Sequence, residues 1–216
     1  MSSHFTFYDD TAVTWLWNFL LSQTGNAYGV AGLMGNLWVE SHCCPYELET
    51  HEQDYSYCWN YTVNNVRTLT SASAFASQYY GTYQYQGQTY YAKGFGLAQW
   101  TYSTRKEALY NYVYNGKDHT YLGDMERDAH FLVDEMQNSY PDVWNVLCNA
   151  TSIEEASDKV LMDYEAPRNA SGQKATRRKY SRWMYEDFTG TPPTPSFGDF
   201  PIWLYFRMKG MNENHE

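Results

Sequence analysis

The sequence lacks the features of a membrane-spanning chain and of a small disulfide-rich protein. It has no run of about 18 or more apolar residues, so no spanning helix is expected. Residues 1–5 show neither the basic start nor the apolar stretch of a signal peptide. Four cysteines among 216 residues are too few for a disulfide scaffold. We expect either a bridge from Cys43 or Cys44 to Cys58 or buried thiols. We expect no metal site, because no Cys-x-x-Cys spacing is present. No cofactor is expected either.

Basic residues are also scarce. Lys and Arg total 15 against 25 Asp and Glu, which gives a formal net charge of −10 and a pI near 5.0. A basic face that follows a phosphate backbone is therefore not expected, and neither is a nucleic-acid partner. Aromatic residues are abundant by contrast, with 22 Tyr, 10 Phe and 8 Trp. Their faces can stack on neutral, sugar-like ligands.

Helix start and stop signals recur along the chain. Asp9 or Asp10 predicts the cap of a first helix that ends at Gly25. A second helix is predicted over about residues 27–41. Three glycines recur along it at a spacing of three, namely Gly29, Gly32 and Gly35. Because glycine weakens a helix, this spacing indicates close backbone packing against neighbours and predicts that the helix is central.

The first half of the chain contains a polar interruption. Helical periodicity fades over residues 45–93, and residues 79–91 predict a short hairpin with a polar turn. Helices return after Trp100, where Thr101 predicts the cap of a helix closed by Gly116. We expect one mainly helical domain over residues 1–188, followed by a Pro-rich linker and an apolar tail over residues 189–216.

Glu40 is the first candidate for chemistry, because it falls at the carboxyl end of the glycine-rich helix. The partial negative charge of a helix carboxyl end disfavours a carboxylate. A pocket walled by aromatic rings removes water from it. Both effects favour the neutral carboxyl group that a general acid needs. An exposed glutamate at a helix end is the plainer alternative.

A second informative stretch is Gly-Phe-Gly-Leu-Ala-Gln-Trp-Thr at residues 94–101. Its glycines let the backbone approach another group closely. Gln99 offers an amide donor and acceptor, and Trp100 offers a stacking face. Alone, the stretch indicates a tight turn that enters a helix.

The order of these motifs resembles the lysozyme-like domain of phage tail-associated lysins, a family related to goose-type lysozymes and lytic transglycosylases. The matching motifs are Gly-Asn…Glu-Ser at 35–41, the stretch 94–101 followed by Arg105-Lys106, and Asp-Tyr-Glu-Ala-Pro at 163–167 with Arg177 and Tyr180 following. The resemblance covers about residues 9–188. It implies a mainly α, lysozyme-like α+β fold, in which a helical bundle surrounds a central helix and a small polar hairpin lines a substrate groove.

The resemblance also implies a function and its residues. The protein would be a peptidoglycan hydrolase that cleaves the β-1,4 bond between N-acetylmuramic acid and N-acetylglucosamine, with Glu40 as the catalytic acid. Gly96, Gln99, Trp100 and Tyr164 would bind the glycan, and Tyr164 would also approach Glu40. The implied partners are peptidoglycan strands and other phage tail proteins, with no membrane and no nucleic acid. The protein would act on the cell wall as a virion tail component or after release.

The mechanism stays open at the level of sequence. Glycosidases usually use two carboxylates, and the candidates for the second one, which also fit a solvated acidic loop, are Glu47, Glu49, Glu52 and Asp54. If one of them holds a water opposite Glu40, hydrolysis with inversion is expected. If none does, Glu40 acts alone, as in lytic transglycosylases, and takes a proton from the muramyl 6-hydroxyl. A catalytically inactive, glycan-binding tail-tip module is the remaining alternative.

Overall fold

A computed structural model describes residues 3–49 and 54–191, and this part is mainly helical with one small antiparallel hairpin, as predicted. The elements in chain order are α1 (Asp10–Thr24), α2 (Ala27–Ser41), α3 (Tyr55–Tyr61), α4 (Ala72–Ser77), β1 (Gly81–Tyr85), β2 (Gln88–Ala92), α5 (Ser103–Asn111), α6 (Met125–Ser139), α7 (Pro141–Asn149), α8 (Ile153–Lys159) and α9 (Ala170–Thr189). A π-helical turn (Thr62–Val66) continues α3, another (Val160–Glu165) continues α8, and a 3-10 turn (His119–Tyr121) precedes α6.

Helix α2 is the centre of the bundle, as its glycines predict, and it packs against α1, α7, α8 and α9. A Cβ atom at Gly29 would lie 1.9 Å from a backbone oxygen of α7. One at Gly32 would lie 2.5 Å from the Ala156 side chain of α8, and one at Gly35 would lie 2.2 Å from the Ser181 hydroxyl of α9. At each glycine a different helix therefore packs so close to the backbone of α2 that no side chain would fit between them.

Several helix ends are those that the sequence predicts. The Asp9 carboxylate accepts hydrogen bonds from two backbone N–H groups of the first turn of α1, and Gly25 ends the helix at φ 66°. Ser152 caps α8 by accepting from the Glu155 N–H. The Glu155 carboxylate accepts a hydrogen bond from the N–H of Thr151, whereas a capping box would have it accept from the N–H of Ser152.

The predicted helix between Thr101 and Gly116 is wrong at both ends. Helix α5 begins at Ser103, and the Thr101 hydroxyl donates to the Gln99 carbonyl instead of capping a helix. The helix ends early because the buried guanidinium of Arg127 donates to the carbonyls of Leu109 and Tyr112, which a longer helix would use itself. The segment 45–93 is also more helical than its periodicity indicates, since it contains α3 and α4.

The predicted hairpin is confirmed. Strands β1 and β2 pair from Gly81 opposite Ala92 to Tyr85 opposite Gln88, with a two-residue turn whose φ angles, 50° and 75°, are both positive, as in the tightest hairpins. The buried Lys106 of α5 fixes its base, because the Lys106 ammonium donates to the carbonyls just before β1 and just after β2.

Of the two expectations for the cysteines, the structure shows buried thiols. Cys43, Cys44 and Cys58 are buried, Cys148 is half-buried, and no disulfide joins them. Burial raises the pKa of Cys58 to about 12, which keeps it protonated. No helix within residues 3–49 and 54–191 is long and apolar enough to cross a membrane. Of the linker and tail predicted over residues 189–216, residues 192–216 lie outside the described residues, and the domain boundary at 188 stays a prediction.

Candidate active site

A groove of about 600 Å3 lies at the carboxyl end of α2. The loop after α2, the hairpin and the segment between the π-helical turn and α9 complete its walls. Four glutamates line it, namely Glu40, Glu47, Glu49 and Glu165. The groove therefore brings together the carboxyl groups that glycosidic chemistry uses, along with tyrosine rings from the hairpin.

Glu40 reaches the groove because α2 is tied to the stretch 94–101. The Ser41 hydroxyl, next in the chain, donates to the Leu97 carbonyl at 2.7 Å. His42 then takes the left-handed conformation at φ 54° and ends the helix. The structure thus explains why the Glu-Ser pair and the Gly-Leu-Ala-Gln element occur together: one hydrogen bond joins them beside the groove.

The stretch 94–101 and the acidic loop after α2 form one hydrogen-bonded unit. The Gly96 N–H donates to the Glu47 carbonyl at 2.9 Å, and the Glu49 N–H donates to the Gly94 carbonyl at 3.0 Å. A Cβ at Gly94 would lie 2.4 Å from the Gln99 amide oxygen, so a larger residue there would displace the Gln99 side chain. Gln99 lines the groove as predicted, whereas Gly96 lies beneath it as part of the turn.

Glu40 has a cationic partner that the sequence does not reveal. Its carboxylate, 19% exposed, forms an ion pair with Arg177 of α9. Asn36, from the Gly-Asn part of the first motif, accepts from the Arg177 guanidinium through its side-chain oxygen at 3.2 Å. Gln173 accepts from the same guanidinium at 2.9 Å. The pocket around Glu40 thus contains a cation, whereas the sequence predicts only aromatic walls there.

Glu165 is a groove carboxyl that the sequence reasoning missed. One of its oxygens, Oε1, is buried and has no hydrogen-bond partner in the described part of the chain. Burial, and then the negative charge of Glu40, raise the pKa of Glu165 well above its usual range. The sequence contains a signal for it, because Glu165 belongs to the Asp-Tyr-Glu-Ala-Pro motif.

Behind the groove, Glu135 of α6 collects four hydrogen bonds. Arg105 donates two of them, both at 2.8 Å, and Trp100 and Tyr164 donate one each at 3.0 and 2.6 Å. The Trp100 ring is fully buried and Tyr164 is 2% exposed. The prediction that these two side chains bind glycan is corrected: a buried indole has no free face for a sugar, and the Tyr164 hydroxyl lies on Glu135 rather than Glu40.

The predicted second carboxylates have different positions. Glu47 is buried in the groove wall, and Glu49 accepts from the N–H groups of Lys93 and Gly94 at 2.6 and 2.9 Å. Asp54 caps α3 by accepting from a backbone N–H and does not line the groove. Glu52 lies outside the described residues. The structure thus brings two of the four candidates to the groove with Glu40.

The remaining wall is aromatic. Tyr83 and Tyr85 of β1 and Tyr102 before α5 line the groove with exposed rings. Arg168, on the adjoining segment, places its guanidinium 4.8 Å from the centre of the Tyr90 ring of β2. In the part of the chain that the structure describes, no three His, Cys, Asp or Glu side chains are grouped as ligands of a metal ion.

A mainly helical α+β domain, with a central glycine-packed helix and a hairpin beside a carboxylate-lined groove, defines a lysozyme-like protein. The family model described as phage tail lysozyme matches residues 12–188, and the chain belongs to this family. The resemblance seen in the motifs is therefore confirmed. No curated protein and no solved structure matches the chain. Family membership indicates a lysozyme-like function on the cell wall in a phage tail context.

Proposed function

We propose that this protein cleaves the glycan strands of peptidoglycan in the groove at the end of α2, at the bond between N-acetylmuramic acid and N-acetylglucosamine. Glu40 is the group that protonates the glycosidic oxygen. The observation that carries the proposal is the position of Glu40 on the wall of a carboxylate-lined groove in a phage tail lysozyme.

The aromatic wall suits a glycan. Tyr83, Tyr85 and Tyr102 present exposed rings to the groove, and sugar rings stack on such faces without needing charge. Gln99 adds an amide at the foot of the groove for hydrogen bonds to the sugar. We propose that these four side chains hold the strand while Glu40 acts on it.

The net charge of −10 bears on how the protein reaches its substrate. Cell walls of Gram-positive bacteria are polyanionic, so electrostatic repulsion opposes free diffusion onto them. We propose delivery as part of a phage tail, where mechanical attachment replaces attraction. Release to act on the wall is the other route that the sequence predicts.

A lytic transglycosylase is the second candidate, and one contact favours it. Glu49, a candidate for the base that activates water, already accepts two backbone N–H groups through one oxygen. In this alternative Glu40 protonates the glycosidic oxygen and then takes the proton of the muramyl 6-hydroxyl. Hydrolysis adds water to the product, whereas transglycosylation gives an anhydro product lighter by one water.

Digestion of purified peptidoglycan, followed by mass spectrometry of the released saccharides, tests the proposal. We expect products from the wild type and a loss of about 10²–10⁴-fold in rate for Glu40→Gln, since the amide has the shape of the acid but no acidic proton. Glu126→Gln is the matched control, because Glu126 is an exposed partner of Lys117 and does not line the groove. If Glu40→Gln cleaves as fast as the wild type, the proposed role of Glu40 is wrong. If the wild type binds glycan but does not cleave it, the protein is an inactive binding module.

A further inference from the structure

The pairing of Glu40 leaves the source of its proton unexplained. A general acid must carry a proton when the substrate binds. Glu40 instead forms an ion pair with Arg177, and a carboxylate in an ion pair has no proton to give. The groove therefore needs a second group that stores the proton and lies close to Glu40.

We propose that Glu165 stores this proton and passes it to Glu40 when a glycan occupies the groove. Glu165 then acts through Glu40 as a positioning residue for the proton. The inference rests on the proposed cleavage of a glycosidic bond in the same groove. It adds a residue that lies 125 positions further along the chain in an element of its own, the π-helical turn Val160–Glu165.

The contacts around Glu165 favour a neutral carboxyl group. Its buried Oε1 accepts no hydrogen bond in residues 3–49 and 54–191. Two guanidinium groups lie within electrostatic range, but both are engaged elsewhere: Arg105 with both oxygens of Glu135, and Arg177 with Glu40 and its neighbours. A negative charge on an oxygen that is buried without a donor carries a desolvation cost, which protonation of the carboxyl group removes.

The charges facing Glu165 come from four elements. Glu40 of α2 and Glu135 of α6 disfavour a further negative charge, while Arg105 of α5 and Arg177 of α9 favour it. Burial is the largest influence, and the charge of Glu40 is the next, so the pKa of Glu165 is raised. Two neighbouring carboxyl groups in such surroundings share one proton.

The proton balance closes over one reaction. Glu165 gives its proton to Glu40, and Glu40 gives it to the glycosidic oxygen as the bond to the anomeric carbon breaks and its electron pair stays with the oxygen. The anomeric carbon then gains a new bond to the oxygen of water, or of the muramyl 6-hydroxyl. When the muramyl 6-hydroxyl is the nucleophile, its proton goes to Glu40 and returns to Glu165. When a water held opposite Glu40 is the nucleophile, its proton goes to the second carboxylate and then to solvent, from which Glu165 takes a proton back. No proton is gained or lost by the protein over the cycle.

The decisive experiment is the pH profile of kcat/KM on purified peptidoglycan for wild type, Glu165→Gln and Glu165→Asp. Loss of the Glu165 proton sets the alkaline limb of the wild type. For Glu165→Gln we expect a rate at least about 10-fold lower at pH 7, and a limb moved down by about one pH unit or more, with activity recovering in acid where solvent protonates Glu40 directly. Glu165→Asp, which keeps a carboxyl group, should restore part of the alkaline activity.

A purely structural role predicts a different result. A rate for Glu165→Gln that falls by the same factor at every pH, with the limb in place, overturns the inference, and so does a profile identical to that of the wild type. If wild type cleaves and Glu40→Gln does not, such a result leaves the proposed function standing. Absence of products from wild type and all variants rejects the proposed function itself.

Infrared spectroscopy gives a readout that needs no turnover. The difference spectrum between wild type and Glu165→Gln at neutral pH should contain the carbonyl stretch of a protonated carboxylic acid. The stretch should vanish from the wild type at alkaline pH. A carboxylate signal alone at neutral pH overturns the inference.

Discussion

Two glutamates that act electrostatically on Arg105, the buried Glu135 and the half-buried Glu165, have opposite surroundings. Glu135 accepts four hydrogen bonds, two from Arg105 and one each from Trp100 and Tyr164. Glu165 follows Tyr164 directly in the chain, and its buried Oε1 has no hydrogen-bond partner among the residues that the structure describes. Adjacent residues of one turn thus serve two different sites. The Glu135 carboxylate has hydrogen-bond donors on both oxygens and joins α5, α6 and the π-helical turn. The Glu165 carboxyl group lines the groove and has an oxygen to which no described residue donates.

The difference separates stability from chemistry. A buried charge with all its donors in place is costly to disturb, because removing it strands its cation. A buried carboxyl group without donors adds little to stability and instead keeps its proton. Substitutions of Glu135 and of Glu165 should therefore have different consequences for stability.

Glu135→Ala should give the largest loss of stability. It leaves the Arg105 guanidinium, 13% exposed, without its bidentate partner and also orphans the Trp100 and Tyr164 donors. We expect the free energy of unfolding to fall by about 3–5 kcal/mol, measured by urea denaturation with an unchanged m-value. A loss below about 1 kcal/mol would show that the hydrogen-bonded cluster contributes little.

Tyr164→Phe should have a smaller effect of the same sign. It removes a single donor, at 2.6 Å, from a charged acceptor that keeps three others. We expect a loss of about 1.5–3 kcal/mol, with cleavage of peptidoglycan retained because the Tyr164 hydroxyl does not face the groove. Loss of cleavage without loss of stability contradicts this position of Tyr164.

Glu165→Gln should change stability least, and its effect should depend on pH. The raised pKa means that the folded protein holds the Glu165 proton more tightly than the unfolded chain does. The stability that this proton contributes is complete below the unfolded pKa of about 4.3 and is lost as pH rises towards the folded pKa. Wild type should therefore lose stability relative to Glu165→Gln across that window, by at most about 1.4 kcal/mol per pH unit.

Thermal melts of both proteins from pH 4 to pH 8 measure this slope. A difference that grows in the other direction with pH would mean that Glu165 is a stabilised carboxylate. The Glu165→Gln protein keeps the titratable groups that do not interact with Glu165, so their contributions cancel in the comparison.

The sequence predicts the local parts of this structure well and the partners of its charged groups poorly. Caps such as Asp9, the glycines of α2 and the hairpin turn follow from short-range stereochemistry, and the structure confirms them. The motifs also place Glu40 and Gln99 in the groove. Ion pairs are different, because any acid in the sequence can meet any base: Arg177 reaches Glu40 across 137 positions. The early end of α5 is equally hard to predict, because it depends on a hydrogen bond from Arg127 of α6, which lies later in the chain.

The error over Trp100 and Tyr164 has a related cause. Aromatic side chains near a candidate site fit both a sugar platform and a core, and composition does not separate these roles. The buried carboxylate of Glu135 determines that Trp100 and Tyr164 belong to the core, because it accepts the hydrogen bonds of their indole and phenol groups. Exposed rings on the hairpin, such as Tyr83 and Tyr85, take the place at the groove that those two were expected to fill.

The bare backbone face of α2 also bears on the order in which the chain assembles during synthesis. Its glycines meet partners that the ribosome makes much later, from Leu147 on α7 to Ser181 on α9. A nascent chain that has released only α1 and α2 has nothing to cover this face. Because such long-range contacts form late, the domain completes its core only after α9 has emerged.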